Sequence, residues 1–94
     1  MTKADIIDNI NHETGVDKVT TTKVVEAFTR EIRTAMADGK NVYIRRFGSF
    51  ALKKRAQKTA RNISQGTTMI IPAHTIPAFK PAREFKKQVE NNVK

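Results

Sequence analysis

Apolar residues recur at helical spacing early in the chain and cluster as strands later. Thr2 followed by Asp5 has the form of a capping box, with aspartate in place of glutamate, and opens a first helix. Ile6, Ile7 and Ile10 form its apolar stripe, and Gly15 supplies a C-cap. Asp17 suits the N-cap of a second helix. Val25, Phe28, Ile32, Ala35 and Met36 then follow i, i+3/i+4 spacing, which predicts one buried face, and Gly39 ends the helix after Asp38. Two helices joined by a short turn make an αα-hairpin. The exposed positions of the second helix mix Lys23, Glu26, Arg30, Glu31 and Arg33, which reads as a solvated or packed surface rather than a DNA-reading helix.

Beyond Gly39 the period changes. Val42-Tyr43-Ile44 is β-branched and aromatic. Phe47, Phe50 and Leu52 flank Gly48, which marks a bend or a close approach of backbone. Residues 53–62 are polar and basic, residues 62–66 have turn chemistry, and Thr67-Thr68-Met69-Ile70-Ile71 returns with strong β propensity before stopping at Pro72. A two-stranded ribbon with its tip near Ile63 fits this order, and at about 3.3 Å per residue its ten outgoing residues would extend about 33 Å. The other reading of residues 53–62 is an unstructured basic tract; the returning β-branched run favours the ribbon. Ile76-Pro77-Ala78-Phe79 reads as a short edge strand, because proline does not fit a central one. Pro81 suits the first position of a third helix, with Glu84 in its first turn and Phe85 and Val89 on its apolar face. The fold class is therefore α+β, in a single domain over residues 1–94: a helical base (1–39), a short antiparallel sheet with a long β-ribbon arm (40–80) and a C-terminal helix (81–94).

Charge placement narrows the partners. The 94 residues carry 18 Lys and Arg against 9 Asp and Glu, a net charge of +9. Residues 1–50 hold eight basic and seven acidic side chains, whereas residues 51–94 hold ten and two. No carboxylate lies between Asp38 and Glu84. A soluble face normally mixes signs, so this stretch builds a potential that attracts a polyanion, with nucleic acid the leading candidate. A membrane surface fits less well, because the cations do not lie opposite an apolar helical face. No apolar run approaches the roughly 18 residues of a membrane span. The absence of cysteine excludes disulfides and thiolate metal sites and fits a reducing cytoplasm. Apolar content of 38% leaves a thin core, so oligomerisation is a natural source of further stability.

Catalysis is not expected, nor is a metal or cofactor. Asp5, Asp8 and His12 fall at i, i+3 and i+7 on one helical face, but a nuclease needs its carboxylates beside the phosphate-binding surface, and the basic stretch has none. His74 lacks an acidic neighbour in sequence and a Ser or Cys nucleophile pattern. An RNA-binding or ribosomal protein is the other binding class. Single-strand readers need exposed aromatic platforms, and most of the aromatics here sit in apolar patterns that predict burial.

Several spaced motifs in the second half carry a resemblance. Arg46-Phe47-Gly48-Ser49-Phe50, Ala60-Arg61-Asn62, Ile71-Pro72-Ala73 and Ile76-Pro77-Ala78-Phe79-Lys80 together resemble the bacterial HU/IHF family of histone-like DNA-binding proteins over essentially the whole chain. The likeness runs closer to HU, although Arg46, where many HU sequences have glycine, leans toward the IHF branch. The resemblance implies an intertwined dimer, a homodimer or a heterodimer with a paralogue, in which Phe47, Phe50 and Phe79 complete a core shared between chains. It implies non-sequence-specific bending and compaction of double-stranded DNA in the nucleoid, with bent, nicked or gapped duplexes preferred; the alternative within the family is a site-specific, IHF-like bender. Lys53, Arg55, Lys58 and Arg61 on the arm, and Lys3, Arg46, Lys80, Arg83 and Lys86 on the body, are then the expected phosphate contacts. Arg61 and Asn62 would enter the minor groove. Ile63 takes the position of the family's wedging proline, and isoleucine is itself a known wedge residue. Duller roles stand beside these: Lys53 and Lys54 can guard a strand edge, Ile63 can pack on its own arm, and Lys86 and Lys87 can be ordinary solvated helix residues.

Overall fold

A computed structural model describes residues 1–62 and 66–93, with backbone alone at 61 and 62. Ile63, the expected wedge, lies outside the described residues. The chain divides into two compact units, Met1–Ala35 and Met36–Lys94.

The first unit is the helical hairpin. Helix α1 spans Lys3–Thr14 and α2 spans Lys18–Ala37, the latter running on into the second unit. Both halves of the capping box form. The Thr2 side chain accepts from the Asp5 N–H, and Asp5 Oδ2 accepts from the Thr2 N–H at 2.8 Å. Gly15 closes α1 in the left-handed region (φ 76°), its N–H bonding Asn11 O at 2.9 Å. Such a conformation costs a glycine little, since it has no Cβ to clash. Asp17 caps α2 by accepting from the Thr20 N–H at 2.9 Å. Ile7 is buried and Val25, Ile32 and Ala35 are half-buried, as the spacing predicts, but Phe28 remains 51% exposed.

The Asp17 cap makes stability depend on pH. Hydrogen bonds from the Thr20 backbone and then its side chain hold the Asp17 carboxyl below its ordinary value of 3.8. A carboxyl depressed in the folded state contributes stability that is present above the unfolded value and lost as pH falls through the folded one. Asp17→Ala should therefore lower the melting temperature more at pH 7 than at pH 2.5, and Asp17→Asn should recover part of the loss. Thermal melts at the two pH values, at one protein concentration, check this.

The second unit holds the strands and the last helix. Strands β1 (Val42–Ile44), β2 (Gly48–Arg55) and β5 (His74–Pro81) form an antiparallel sheet in the order β1-β2-β5, while β3 (Lys58–Asn62) and β4 (Thr67–Ile71) form a two-stranded ladder. The two ladders keep one register. Arg55 pairs with His74, and Lys58 pairs with Ile71, so Ala56 and Gln57 oppose Pro72 and Ala73 with no residue gained on either side. The pairing interruption falls at Pro72, which has no N–H to donate. Residues 53–62 are thus an arm of paired strands rather than an unstructured tract.

Two boundaries differ from expectation. Strand β5 begins at His74 and runs to Pro81 instead of covering only 76–79. It lies at a sheet edge, where Pro77 and Pro81 are tolerated. Pro81 accordingly pairs with Gly48 and does not open the helix. Helix α3 is Arg83–Asn92 with Ala82 as its N-cap, and the Ala82 N–H bonds Phe47 O at 2.9 Å. That bond ties the start of α3 to the β1–β2 connection, so tertiary pairing sets the boundary.

Four phenylalanines hold this unit together. Phe47 stacks on Phe85 (centroids 5.3 Å apart, planes at 15°), and Phe79 meets Phe47 at 5.2 Å and Phe50 at 4.9 Å. Aromatic pairs in such geometries add about 0.5–1.5 kcal/mol beyond the area they bury. Burial is nonetheless incomplete within one chain, with Phe47 42% and Phe79 40% exposed. Gly48 sits beneath the cluster. A Cβ there would lie 2.6 Å from the Lys80 carbonyl oxygen and 2.7 Å from Cζ of Phe79.

Candidate nucleic-acid interface

Side chains alternate between faces along a strand, so the register sorts the cations. Lys53 and Arg55 share a face of β2 with Ser49. Ser49 pairs with Lys80 on β5 and with Tyr43 on β1, and Arg55 pairs with His74, so Lys80, Tyr43 and His74 join that face. The opposite face carries Phe50, Leu52 and Phe79, with Lys54 beyond them, and the shared register places Lys58 in that same phase. The sequence-expected arm cations are therefore split: Lys53 and Arg55 share one side and Lys58 lies on the other. Arg61 pairs with Thr68 and Asn62 with Thr67 near the end of the arm.

The other expected contacts fall into separate places. Arg46 occupies the turn between β1 and β2, closed by Phe47 N–H on Ile44 O at 3.1 Å. Arg83 and Lys86 stand three apart on α3 and so share a helical face. Lys3 belongs to the helical hairpin, where its ammonium pairs with Glu26 at 3.1 Å. Lys18 pairs with Asp8 at 3.0 Å. Asp5 and Asp8 are thus engaged in the capping box and in this ion pair. Among the described residues, no ion pair involves a cation of the second unit. The described side chains among those cations are exposed, and no carboxylate occurs from residue 39 to residue 83.

Sequence reasoning missed two features. Tyr43 is 74% exposed on the cation-bearing face, because strand alternation turns it away from its half-buried neighbours Val42 and Ile44. The period-2 pattern of residues 42–44 was a signal for this. Arg46 has φ 68°, the left-handed region that glycine favours. An L-residue there is strained by about 1–2 kcal/mol. Arg46→Gly should relieve that strain and recover up to about 1 kcal/mol, after the added freedom of glycine in the unfolded chain is subtracted. The same change removes a cation and should weaken DNA binding. A urea titration paired with a DNA titration should thus move in opposite directions.

A paired-strand arm, an open sheet with cations gathered on one face and a long carboxylate-free stretch define a protein built to hold a polyanion. The family model described as bacterial DNA-binding protein matches residues 1–90. The chain belongs to that family, the HU/IHF family of DNA-binding proteins. It is 37% identical to integration host factor subunit alpha of Aeromonas hydrophila over 97% of this chain and 93% of that protein. It is 34% identical to integration host factor subunit beta of Marinobacter nauticus over 100% and 97% of the two chains. Its fold matches HU in the Anabaena HU–DNA cocrystal structure with a TM-score of 0.90, at 30% identity over 95% of this chain and 97% of that one. The family is one of DNA-binding proteins, and no helix among the described residues is long and apolar enough to cross a membrane.

Proposed function

We propose that this chain is half of a dimeric architectural protein that bends and compacts duplex DNA with little sequence preference. The observation that carries this reading is the gathering of Lys53, Arg55 and Lys80 on one face of a ribbon-bearing sheet, in a stretch with no carboxylate. Lys58 adds charge from the arm's other side, and Arg46, Arg83, Lys86 and Lys3 serve as phosphate contacts from the body. For Lys3 this means exchanging Glu26 for a phosphate, at little cost because an exposed pair is worth about 0–1 kcal/mol. Arg61 and Asn62 read the minor groove, whose edge pattern is degenerate, and Ile63 wedges a base step. Smooth bending by 40–90° costs about 1–6 kcal/mol, so DNA already nicked, gapped or bent binds better.

The dimer reading rests on exposed apolar surface in both units, with Val24 and Phe28 on α2 and Phe47 and Phe79 in the aromatic cluster. Residues 1–39 serve as its base, 40–80 as sheet and arm, and 81–94 as the closing helix. Such a protein works in the bacterial nucleoid without a cofactor or catalytic step. The second reading, a site-specific bender paired with a paralogue, is favoured by the integration host factor subunits among the relatives.

A competition titration of the purified chain alone separates these. Tighter binding to nicked or gapped duplexes, indifferent to sequence and steeply weakened by salt, supports the first. Tight binding to one intact sequence, or a need for a second subunit, supports the other. Equal binding to duplex and RNA would sink both.

A further inference from the structure

Strands β3 and β4 form a ladder of two, so each keeps one edge without a partner among the described residues. The two edges differ in charge. Strand β3 bears Lys58 and Arg61, the kind of side chain that keeps an exposed edge from pairing with another chain. Strand β4 reads Thr67-Thr68-Met69-Ile70-Ile71, with no charge, proline or glycine. Met69 is 55% and Ile70 66% exposed, and as neighbours on a strand they point to opposite faces, so both faces of β4 are open. A neutral, apolar and β-branched edge of this kind is a template for a further strand.

We propose that β4 pairs antiparallel with β4 of a second copy of this protein, joining two arms into one four-stranded sheet in the order β3-β4-β4-β3. A second copy fits this edge because a two-fold axis brings the same neutral strand against itself. Centring the axis on Met69 is the register that pairs all five residues. Met69 then opposes Met69 of the second copy, Ile70 opposes its Thr68, and Ile71 opposes its Thr67. Charge selects this edge over the other. The two β3 strands end three strand spacings apart, about 14 Å. That exceeds the roughly 8–10 Å over which exposed charges act at 0.1–0.15 M salt. Pairing through β3 would instead set the two cation-bearing strands one spacing apart, about 5 Å. The proposal concerns the DNA-free protein and does not rest on the duplex-binding reading.

Sedimentation velocity of the DNA-free protein should show its mass rising with concentration to at least about twice that of the smallest species. The rise should be greater at about 0.5 M than at about 0.1 M salt, because salt screens the +9 charge of each chain. Met69→Lys sets like charges directly opposite each other and should hold the protein at the smallest species, with its helical circular dichroism unchanged. Met69→Glu should do the same, and an equal mixture of the two variants should associate again. The chain has no cysteine, so Met69→Cys carries a single thiol. Directly opposed residues of antiparallel strands stand about 4.5–5.5 Å apart at Cα. A disulfide spans about 4.4–6.8 Å, so mild oxidation should link Met69→Cys chains in pairs and leave Thr59→Cys, on β3, unlinked. A mass that does not change with concentration would overturn the proposal. So would association that weakens with salt, as docking of the cationic arm on the acidic residues of another copy's helical hairpin would, or a mixture of the Lys and Glu variants that fails to associate.

Discussion

Gly48→Ala should lower stability by about 3 kcal/mol, at the upper end of what overpacking costs. The position has no slack. The new methyl would press on the Lys80 carbonyl oxygen, which belongs to the adjoining strand, and on the Phe79 ring, which three other phenylalanines hold in place. Neither can yield as the end of a flexible side chain could. Set against the 5–15 kcal/mol that a typical domain possesses, such a loss raises the unfolded fraction by about two orders of magnitude. Gly39→Ala is the matched control. It sits in open space, so it suffers only the cost of a left-handed φ of 84°, about 1–2 kcal/mol. Urea midpoints for both variants at one protein concentration check the order, and a Gly48→Ala midpoint equal to the parent's would show that the aromatic cluster is not packed as described.

Removing Lys53 and Arg55 together should produce the largest loss of duplex affinity. Each phosphate contact releases condensed counterions, and the log–log dependence on salt steepens by about 0.9 per contact on B-form DNA. In the proposed dimer, with two proposed phosphate contacts removed from each of two arms, the slope should flatten by about 3–4. The double variant Lys54→Ala/Lys87→Ala removes the same formal charge. Lys54 lies on the opposite face of β2 from Lys53 and Arg55, and Lys87 is an exposed residue of α3, so this variant should flatten the slope far less. Titrations from 50 to 200 mM salt distinguish the two, and equal losses would mean that net charge rather than its facing governs binding.

Local signals and pairing signals were not equally readable. The capping box at Thr2 and Asp5, the Gly15 stop and the Asp17 cap are written in adjacent residues, and each forms as its chemistry dictates. The ribbon was legible because a polar stretch is followed by a β-branched one, and Gly48 was readable as either a bend or a close approach, of which the contacts beneath Phe79 and Lys80 show the close approach. What was not legible depends on distant partners. Pro81 looks like a helix opener in isolation, yet pairing with Gly48 claims it for β5 and moves the helix start to Arg83. Phe28, Phe47 and Phe79 have core-like spacing, but one small chain cannot cover them. The division of the arm cations between faces appears only once the register is known, since Lys53, Lys54 and Arg55 are adjacent letters.

The uninterrupted register across Pro72 also limits how this arm can change over evolutionary time. One residue inserted into a single strand would exchange the two faces for everything beyond it, sending Lys58 to the other side and turning the Thr59 face over in its place. Insertions of matched pairs in both strands leave the facing intact. Arms of this kind should thus grow or shorten in paired increments, while the junction at Ala56, Gln57, Pro72 and Ala73 tolerates substitution better than it tolerates a change in length.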